Sequence, residues 1–408
     1  MLKRSYGWPK GHWSWPIAVT HKHGLRCGRM IFVGGQVDLD SAGGVQHPGD
    51  LEAQTTAAVA NLRRVLAEFG AGTADLVKLL AFYVAEGGVA EDRVLAQIGH
   101  ALGASGGPVI TLVPVPWLAY PRMLIEIEGI AMLGERGEGL RRSTAGLADG
   151  PTLPRPFAHG VRCGEMIYVG AQSACGPNAT VIEPANLPRQ STIVMDRLGE
   201  ILACFGAGFE DVVKINTYYV GGGTQADWEV AAKVRAGYFS EPGPAATGIP
   251  LHRHNLPGRM TKSEVIAMLG EDGRRLPRRH VWPEGHWDWP IHLPYKHGIE
   301  CGGMIFVGGQ VSLTPQGEVI APGDMVAQTR TSMDNIRRVL AGFGARLDDV
   351  VKVTAFYRGG ASADGLHANL RVRSASFSDP GPTSTGIALP YLAYEGMEIE
   401  IEVVAMAD

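Results

Sequence analysis

Long apolar runs are missing from this chain of 408 residues, which excludes a helical membrane span. Cysteine is scarce: five residues, an odd number, do not make the disulfide framework of a secreted scaffold. Cys27, Cys163 and Cys301 stand at matching places just before a strand, and read as small buried residues in a reducing compartment. Charge of one sign is also lacking. A formal net charge of −4 leaves no broad basic footprint for nucleic acid or for an anionic membrane. No Gly-rich phosphate loop, nucleotide fingerprint or Ser-His-Asp order stands out, so no cofactor is expected. The opening MLKRSYGWPKGHW has basic residues with no apolar run behind them, unlike a secretory signal, and a cytoplasmic location is expected.

What the chain has in abundance is repetition. Gly11–Gln36, GHWSWPIAVTHKHGLRCGRMIFVGGQ, returns as GHWDWPIHLPYKHGIECGGMIFVGGQ at Gly285–Gln310, without a gap. A middle copy, FAHGVRCGEMIYVGAQ, sets His159 against His23 and His297. The same registers align Glu128, Glu264 and Glu402 at the far ends, in EIEGIAML, KSEVIAML and EIEVVAMA. So long a repeat means whole domains rather than solenoid half-units. Their bounds are expected at 1–135, 145–271 and 280–408, each long enough to bury its own core.

Each copy reads β-β-α-β-α-β-β. An extended segment such as Pro16–His23 and a Cys-Gly turn lead to an apolar strand, Met30–Val33, Met166–Val169 or Met304–Val307. Pro-Gly-Asp at Pro48–Asp50 and Pro322–Asp324 starts a helix with Asp as its N-cap, and Gly70, Gly206 and Gly344 stop it. A buried strand (LVKLLAFYV in the first copy) and a second helix follow, over Glu91–Leu102, Gln225–Phe239 and Asp364–Phe377. Two strands close the unit, giving an α+β sheet with both helices on one face. Stretches near Gly134–Pro156 and Gly270–Gly285, rich in Arg, Gly and Pro, read as linkers.

This order of elements, the M-I-x-x-x-G-x-Q strand and the closing E-I-E-x-x-A resemble the RidA/YjgF family, three times over. The resemblance implies a fold like that of the small chorismate mutases, and homotrimers with clefts between subunits. Three fused copies should then form a single-chain pseudo-trimer with three inequivalent clefts, since linkage makes association intramolecular. That particle is expected to be monomeric, with further dimerisation left open. The resemblance also implies hydrolysis of enamines or imines, with an Arg on the substrate carboxylate and a Glu orienting water. The Arg position holds Ile110, Ala246 and Ser384 instead. The Glu position holds Glu126 and Glu400, but Lys262 in the middle copy.

These residues set the candidate site. Glu126 and Glu400 are the catalytic candidates if burial raises them toward neutrality, against a reading in which they and Glu128 and Glu402 line a solvated strand face. His23 and His297 are candidate proton-handling partners, against structural histidines bonded to a turn carbonyl. Substrate-binding candidates are His21 and Tyr295, at the position of a family aromatic facing the cleft, His159, Arg253 as a replacement anion clamp, and Gly35 and Gly309. The same-face pairs His21/His23 and His252/His254 lack a third ligand at metal spacing, so no metal is expected. The GHWxWP motifs either roof a cleft or pack across a seam. The leading expectation is a cofactor-free hydrolase or deaminase acting on a C–N bond of a small, planar or carboxylated molecule. A chorismatase-like lyase or hydrolase is the alternative, requiring cations such as Arg253, Arg259 and Lys262 to converge. A non-catalytic ligand-binding or protein-protecting module is another.

Overall fold

The computed structural model describes residues 2–85, 90–103 and 107–407. Strand and helix signals in each repeat build one six-stranded sheet with two helices. In the first unit these are β1 (Arg4–Gly7), β2 (Gly24–Cys27), β3 (Met30–Gln36), α1 (Leu51–Ala67), β4 (Leu76–Val84), α2 (Glu91–Leu102), β5 (Val109–Val115) and β6 (Ile125–Met132). The strand order is β1-β2-β3-β6-β4-β5, with only the β4–β5 pair parallel. The second unit repeats it with β7 (Arg142–Ala145), β8 (Gly160–Cys163), β9 (Met166–Ser173), α3 (Leu187–Ala203), β10 (Val212–Val220), α4 (Gln225–Ala236), β11 (Ala245–Leu251) and β12 (Thr261–Met268). The third has β13 (Arg278–Val281), β14 (Gly298–Cys301), β15 (Met304–Gln310), α5 (Met325–Ala341), β16 (Val350–Arg358), α6 (Ala363–Ala375), β17 (Thr383–Leu389) and β18 (Ile399–Met406).

Local chemistry behaves as the residues dictate. Asp50 accepts hydrogen bonds from the Glu52 and Ala53 amides, and Asp324 accepts one from Ala327, so both helices start on a side-chain cap. Gly70, Gly206 and Gly344 stop the helices at φ 72°, 73° and 79°, a region that favours glycine. Two sequence readings need correction. The Arg/Gly/Pro-rich stretches contain the edge strands β7 and β13, and the extended run Pro16–His23 lies outside the sheet, whose short strand is Gly24–Cys27. Four-residue edge strands take their register from the neighbouring strand, and composition alone does not reveal that.

Helices cover one face of each sheet. The other face meets the other two sheets around a pseudo-threefold axis, so central strands such as β4 are buried along their whole length. Leu25, Phe32, Tyr168 and Phe306 share one inner core with Cys27, Cys163 and Cys301. The units close in a ring through parallel bridges Val109–Ala158, Ala245–Lys296 and Lys22–Thr383. Sheet edges approach so closely there that a Cβ on Gly34, Gly170 or Gly308 would fall within 3 Å of backbone atoms at Ser384, Ile110 or Ala246.

Buried ion pairs pin the axis, one across each seam. Lys352 lies 2.9 Å from Glu128 and Lys214 lies 2.8 Å from Glu402, while Lys78 pairs with Glu264. Thr385, Thr247 and Thr111 each donate a hydroxyl to the same carboxylate. Burial alone would raise Glu402, but the Lys214 and Lys352 ammonium groups overcome it and hold the carboxyl at about 2. Removing one partner leaves a buried charge uncompensated, at a cost of about 3–5 kcal/mol. Lys352→Met is therefore expected to destabilise the chain strongly in chemical denaturation, and Lys352→Met with Glu128→Leu to recover part of the loss. A neutral single variant would contradict this account of the seam.

Candidate functional site

Glu126 and Glu128 both stand on β6 and, two apart, share the face turned to the axis. Glu400 and Glu402 do the same on β18. All four are buried, so the solvated-face reading fails. Glu128 and Glu402 belong to the axial ion pairs. Glu126 and Glu400 instead face small cavities at two seams.

The cavity between the first and third units has a volume of about 30 Å³. Its lining includes Trp13, Trp15, Tyr120 and Glu126 from one side and Arg373 and Ser384 from the other. The cavity between the third and second units, about 40 Å³, repeats the set with Trp287, Trp289, Tyr394, Glu400, Arg235 and Ala246. Burial, reinforced by the Glu128 carboxylate, pushes Glu126 up to about 8 against the Gly386 amide and the Arg373 charge. Burial and the Glu402 carboxylate likewise push Glu400 to about 8, against Lys214. Both carboxyls are thus mostly protonated near pH 7.

Arg235 and Arg373 are the residues that sequence reasoning missed. They come from α4 and α6 and occupy one register, where α2 carries Gly99. Arg373, with 0% exposure, donates to Asn369 Oδ1 and Ser384 Oγ, at 2.9 and 2.7 Å. Among the described residues its Nη2 has no hydrogen-bond partner, and neither has Nη1 of Arg235, whose guanidinium lies beside the Tyr295 hydroxyl. A buried guanidinium with a free N–H facing a cavity is prepared for an anion or a carbonyl oxygen.

Gly35 and Gly309 do lie in these sites. A Cβ at either position would overlap the Glu126 or Glu400 carboxylate, so the glycine admits the acid. Ala171 stands there in the second unit, opposite Lys262. His23 and His297 do not line the cavities. His23 Nε2 donates to the Trp13 carbonyl at 2.9 Å, its ring stacks on Trp15, and burial lowers it to about 3. His297 bonds the Trp287 carbonyl and stacks on Trp289 in the same way. Both tryptophan motifs thus line the cavities, with a histidine packed behind each pair. His21 bonds the Pro382 carbonyl across a seam, whereas Tyr295 does line its cavity.

The seam between the first and second units differs at the glutamate, glycine, arginine and tryptophan positions. Its cavity measures about 640 Å³ and is lined by His159, Gln172, Arg259 and Lys262 together with Glu91 and Ile110. Asp149 and Pro151 stand where the other seams have tryptophan, so no aromatic roof closes it. Lys262 and Arg259 both pair with Glu91. Arg253 is exposed, reaches the Ala85 carbonyl at 3.4 Å, and is absent from this lining; two of the three cations named from the sequence converge, not all three. Among the described residues no group of three or more His, Cys, Asp or Glu is placed to hold a metal ion, and no helix is long and apolar enough to cross a membrane.

These features define a three-unit α+β ring with sites at its seams. A family model described as Endoribonuclease L-PSP matches residues 16–133, 149–267 and 290–407, and the chain belongs to that family, also known as RidA/YjgF, in three tandem copies. It is 32% identical over 112 residues to a RutC family protein of Pyrococcus abyssi, covering 28% of this chain and 85% of that protein. It is 39% identical over 66 residues to the 2-iminobutanoate/2-iminopropanoate deaminase of Escherichia coli, 16% of this chain and 50% of that enzyme, so the match spans about half of that relative. A solved chorismatase superposes with a TM-score of 0.53 at 14% identity, covering 81% of this chain and 93% of that one, a likeness of fold.

Gly35→Ala and Gly309→Ala are expected to displace the facing carboxyls and cost about 1–3 kcal/mol each by overpacking. Ala171→Gly, where no acid faces the residue, should lack that carboxyl-dependent penalty. Equal losses at all three positions in thermal unfolding would contradict the contact.

Proposed function

We propose that the two tryptophan-roofed seams hydrolyse a carbon–nitrogen bond of a small carboxylated imine or enamine. The observation that carries this reading is the pairing, in each cavity, of a carboxyl held at about 8 with a buried guanidinium that has an unpartnered N–H. Hydrolysis of an imine adds water across C=N and releases ammonia, so a proton must reach nitrogen and another must leave water. A neutral Glu126 or Glu400 supplies the first proton; the resulting carboxylate accepts the second as water attacks carbon. The regenerated carboxyl then protonates the nitrogen of the tetrahedral adduct, the C–N bond breaks to release ammonia, and the adduct's hydroxyl proton returns to the carboxylate as the carbonyl forms. Arg373 and Arg235, reaching the cavities from the neighbouring unit's helix, face the substrate carboxylate and orient the C=N bond. The deaminase activity named for the Escherichia coli relative supports the reaction class.

A cavity of about 30–40 Å³ holds one or two waters, so entry of substrate requires the Trp13–Trp15 or Trp287–Trp289 segment to swing out. His23 and His297, bonded to those segments, act in this reading as positioning residues for the roof.

The test is ammonia release from imino acids generated in situ by an amino-acid oxidase. Glu126→Gln and Glu400→Gln should each remove part of the rate, and the double variant should lose at least about 100-fold in kcat while folding normally. A double variant with the parental rate would overturn the proposal.

The pH dependence has a definite sign. Raised carboxyls are proton donors below about 8, so kcat/KM should fall about tenfold per pH unit above that value. Keeping these groups neutral also means that folding stability declines as pH rises from 4.5 toward 8, where buried carboxyls begin to ionise. A pH–rate profile that rises through this window would contradict the assignment of roles.

A further inference from the structure

The cavity between the first and second units is the largest of the three seam cavities and has lost the machinery of the other two. At its equivalent positions Lys262 replaces the glutamate, Ala171 the glycine and Gly99 the arginine. Restoring the old set is blocked sterically. The methyl of Ala171 occupies the space that the glutamate takes elsewhere, and a Cβ on Gly99 would come within 2.7 Å of the Arg155 carbonyl. Loss of the tryptophan roof leaves a space of ligand size.

Something was gained in exchange. Arg259 stands where the sibling units carry Met123 and Met397, both of which line the catalytic cavities. An acid and a thioether have therefore become two cations. Both are buried, Arg259 at 4% and Lys262 at 3% exposure. Burial would raise Glu91, but Arg259 and Lys262 hold it at about 2, so it stays ionised. Burial and the Arg259 charge lower Lys262 to about 8, which leaves it mostly protonated at neutral pH. Two buried cations against one half-buried anion leave a surplus of one positive charge. Asp92, also in the lining, is exposed at the rim and screened by water. Among the described residues Nε of Arg259 has no hydrogen-bond partner. Facing this polar end, Leu95, Ile110, Leu112, Leu153 and Leu256 offer an apolar wall.

We propose that this cavity is a non-hydrolytic binding site for a small organic anion, a monocarboxylate with an apolar body. The carboxylate joins or displaces Glu91 on Arg259 and Lys262, and the body packs on the leucine and isoleucine wall. The site neither depends on turnover at the other seams nor resembles them electrostatically. Its ligand is either the carboxylated product of those seams or an unrelated carboxylic acid; 2-oxobutanoate and benzoate serve as probes of the two sources.

Calorimetric titration of the full chain tests it, with benzamide as the neutral control. In the Arg373→Met/Arg235→Met chain, whose other two seams have lost their carboxylate anchors, benzoate or 2-oxobutanoate should bind at one site per chain, and benzamide at least tenfold more weakly, a difference of about 1.4 kcal/mol. Arg259→Met, which installs the sibling residue, and Lys262→Gln should each weaken carboxylate binding at least tenfold. Glu91→Gln should strengthen it, because it frees both cations, even though it lowers the melting temperature. A merely structural role for these residues would not produce that opposite sign. The parent chain should show this same benzoate site, and any further 2-oxobutanoate sites in it should be those that Arg373→Met with Arg235→Met removes. Loss of binding in that double variant but not in Arg259→Met, or no carboxylate binding by the parent chain, would overturn the proposal.

Discussion

A lysine and a threonine from one unit close on a glutamate of the next, and this happens at all three seams around the axis. Closure of the ring depends on it, because a carboxylate and an ammonium buried in an apolar core are tolerated only while each compensates the other. The same contact sets the chemistry beside it. Glu128 and Glu402, kept in place by the ring, stand two residues from Glu126 and Glu400 on one strand face, and their negative charge adds to the effect of burial on those carboxyls. Assembly and acid–base character thus arise from one arrangement of side chains. A homotrimer would impose that arrangement identically three times.

Fusion releases the constraint of identity. Two seams keep glutamate, its facing glycine, a helix arginine and a pair of tryptophans as a set. The third exchanges every member of the set. Exchange of one member alone would be costly: glutamate beside Ala171 would meet a methyl group, and arginine in place of Gly99 would meet the backbone of the next unit. Substitutions at such contacting positions are coupled in energy rather than additive. The outcome is two small cavities, each with a buried carboxyl and a buried guanidinium, and one large cavity with two cations.

Legibility in the sequence followed the range of the interactions. Helix caps at Asp50 and Asp324 and stops at Gly70 and Gly344 are local, and could be read residue by residue. The repeat registers and the α+β order were equally plain, and Glu126 and Glu400 were found from the family pattern of the closing strand. Arg235 and Arg373 were not found, since an arginine on an amphipathic helix ordinarily reads as solvated. The available signal was their shared register, broken by Gly99. Glu128 and Glu402 find their lysines only in another unit, far away in sequence. The triplicated histidine attracted a chemical reading at His23 and His297, yet its partner is a backbone carbonyl of the tryptophan segment, a contact that spacing on one strand does not disclose. The edge strands β7 and β13 were hidden because their pairing, not their composition, defines them.

Carbon NMR of the glutamate side chains, followed across pH, tests the central claim most directly. Two carboxyls titrating near 8, assigned to Glu126 and Glu400 by their disappearance on substitution, are the result that two neutral acids at two of three seams require. All glutamates titrating below about 6 would contradict the account.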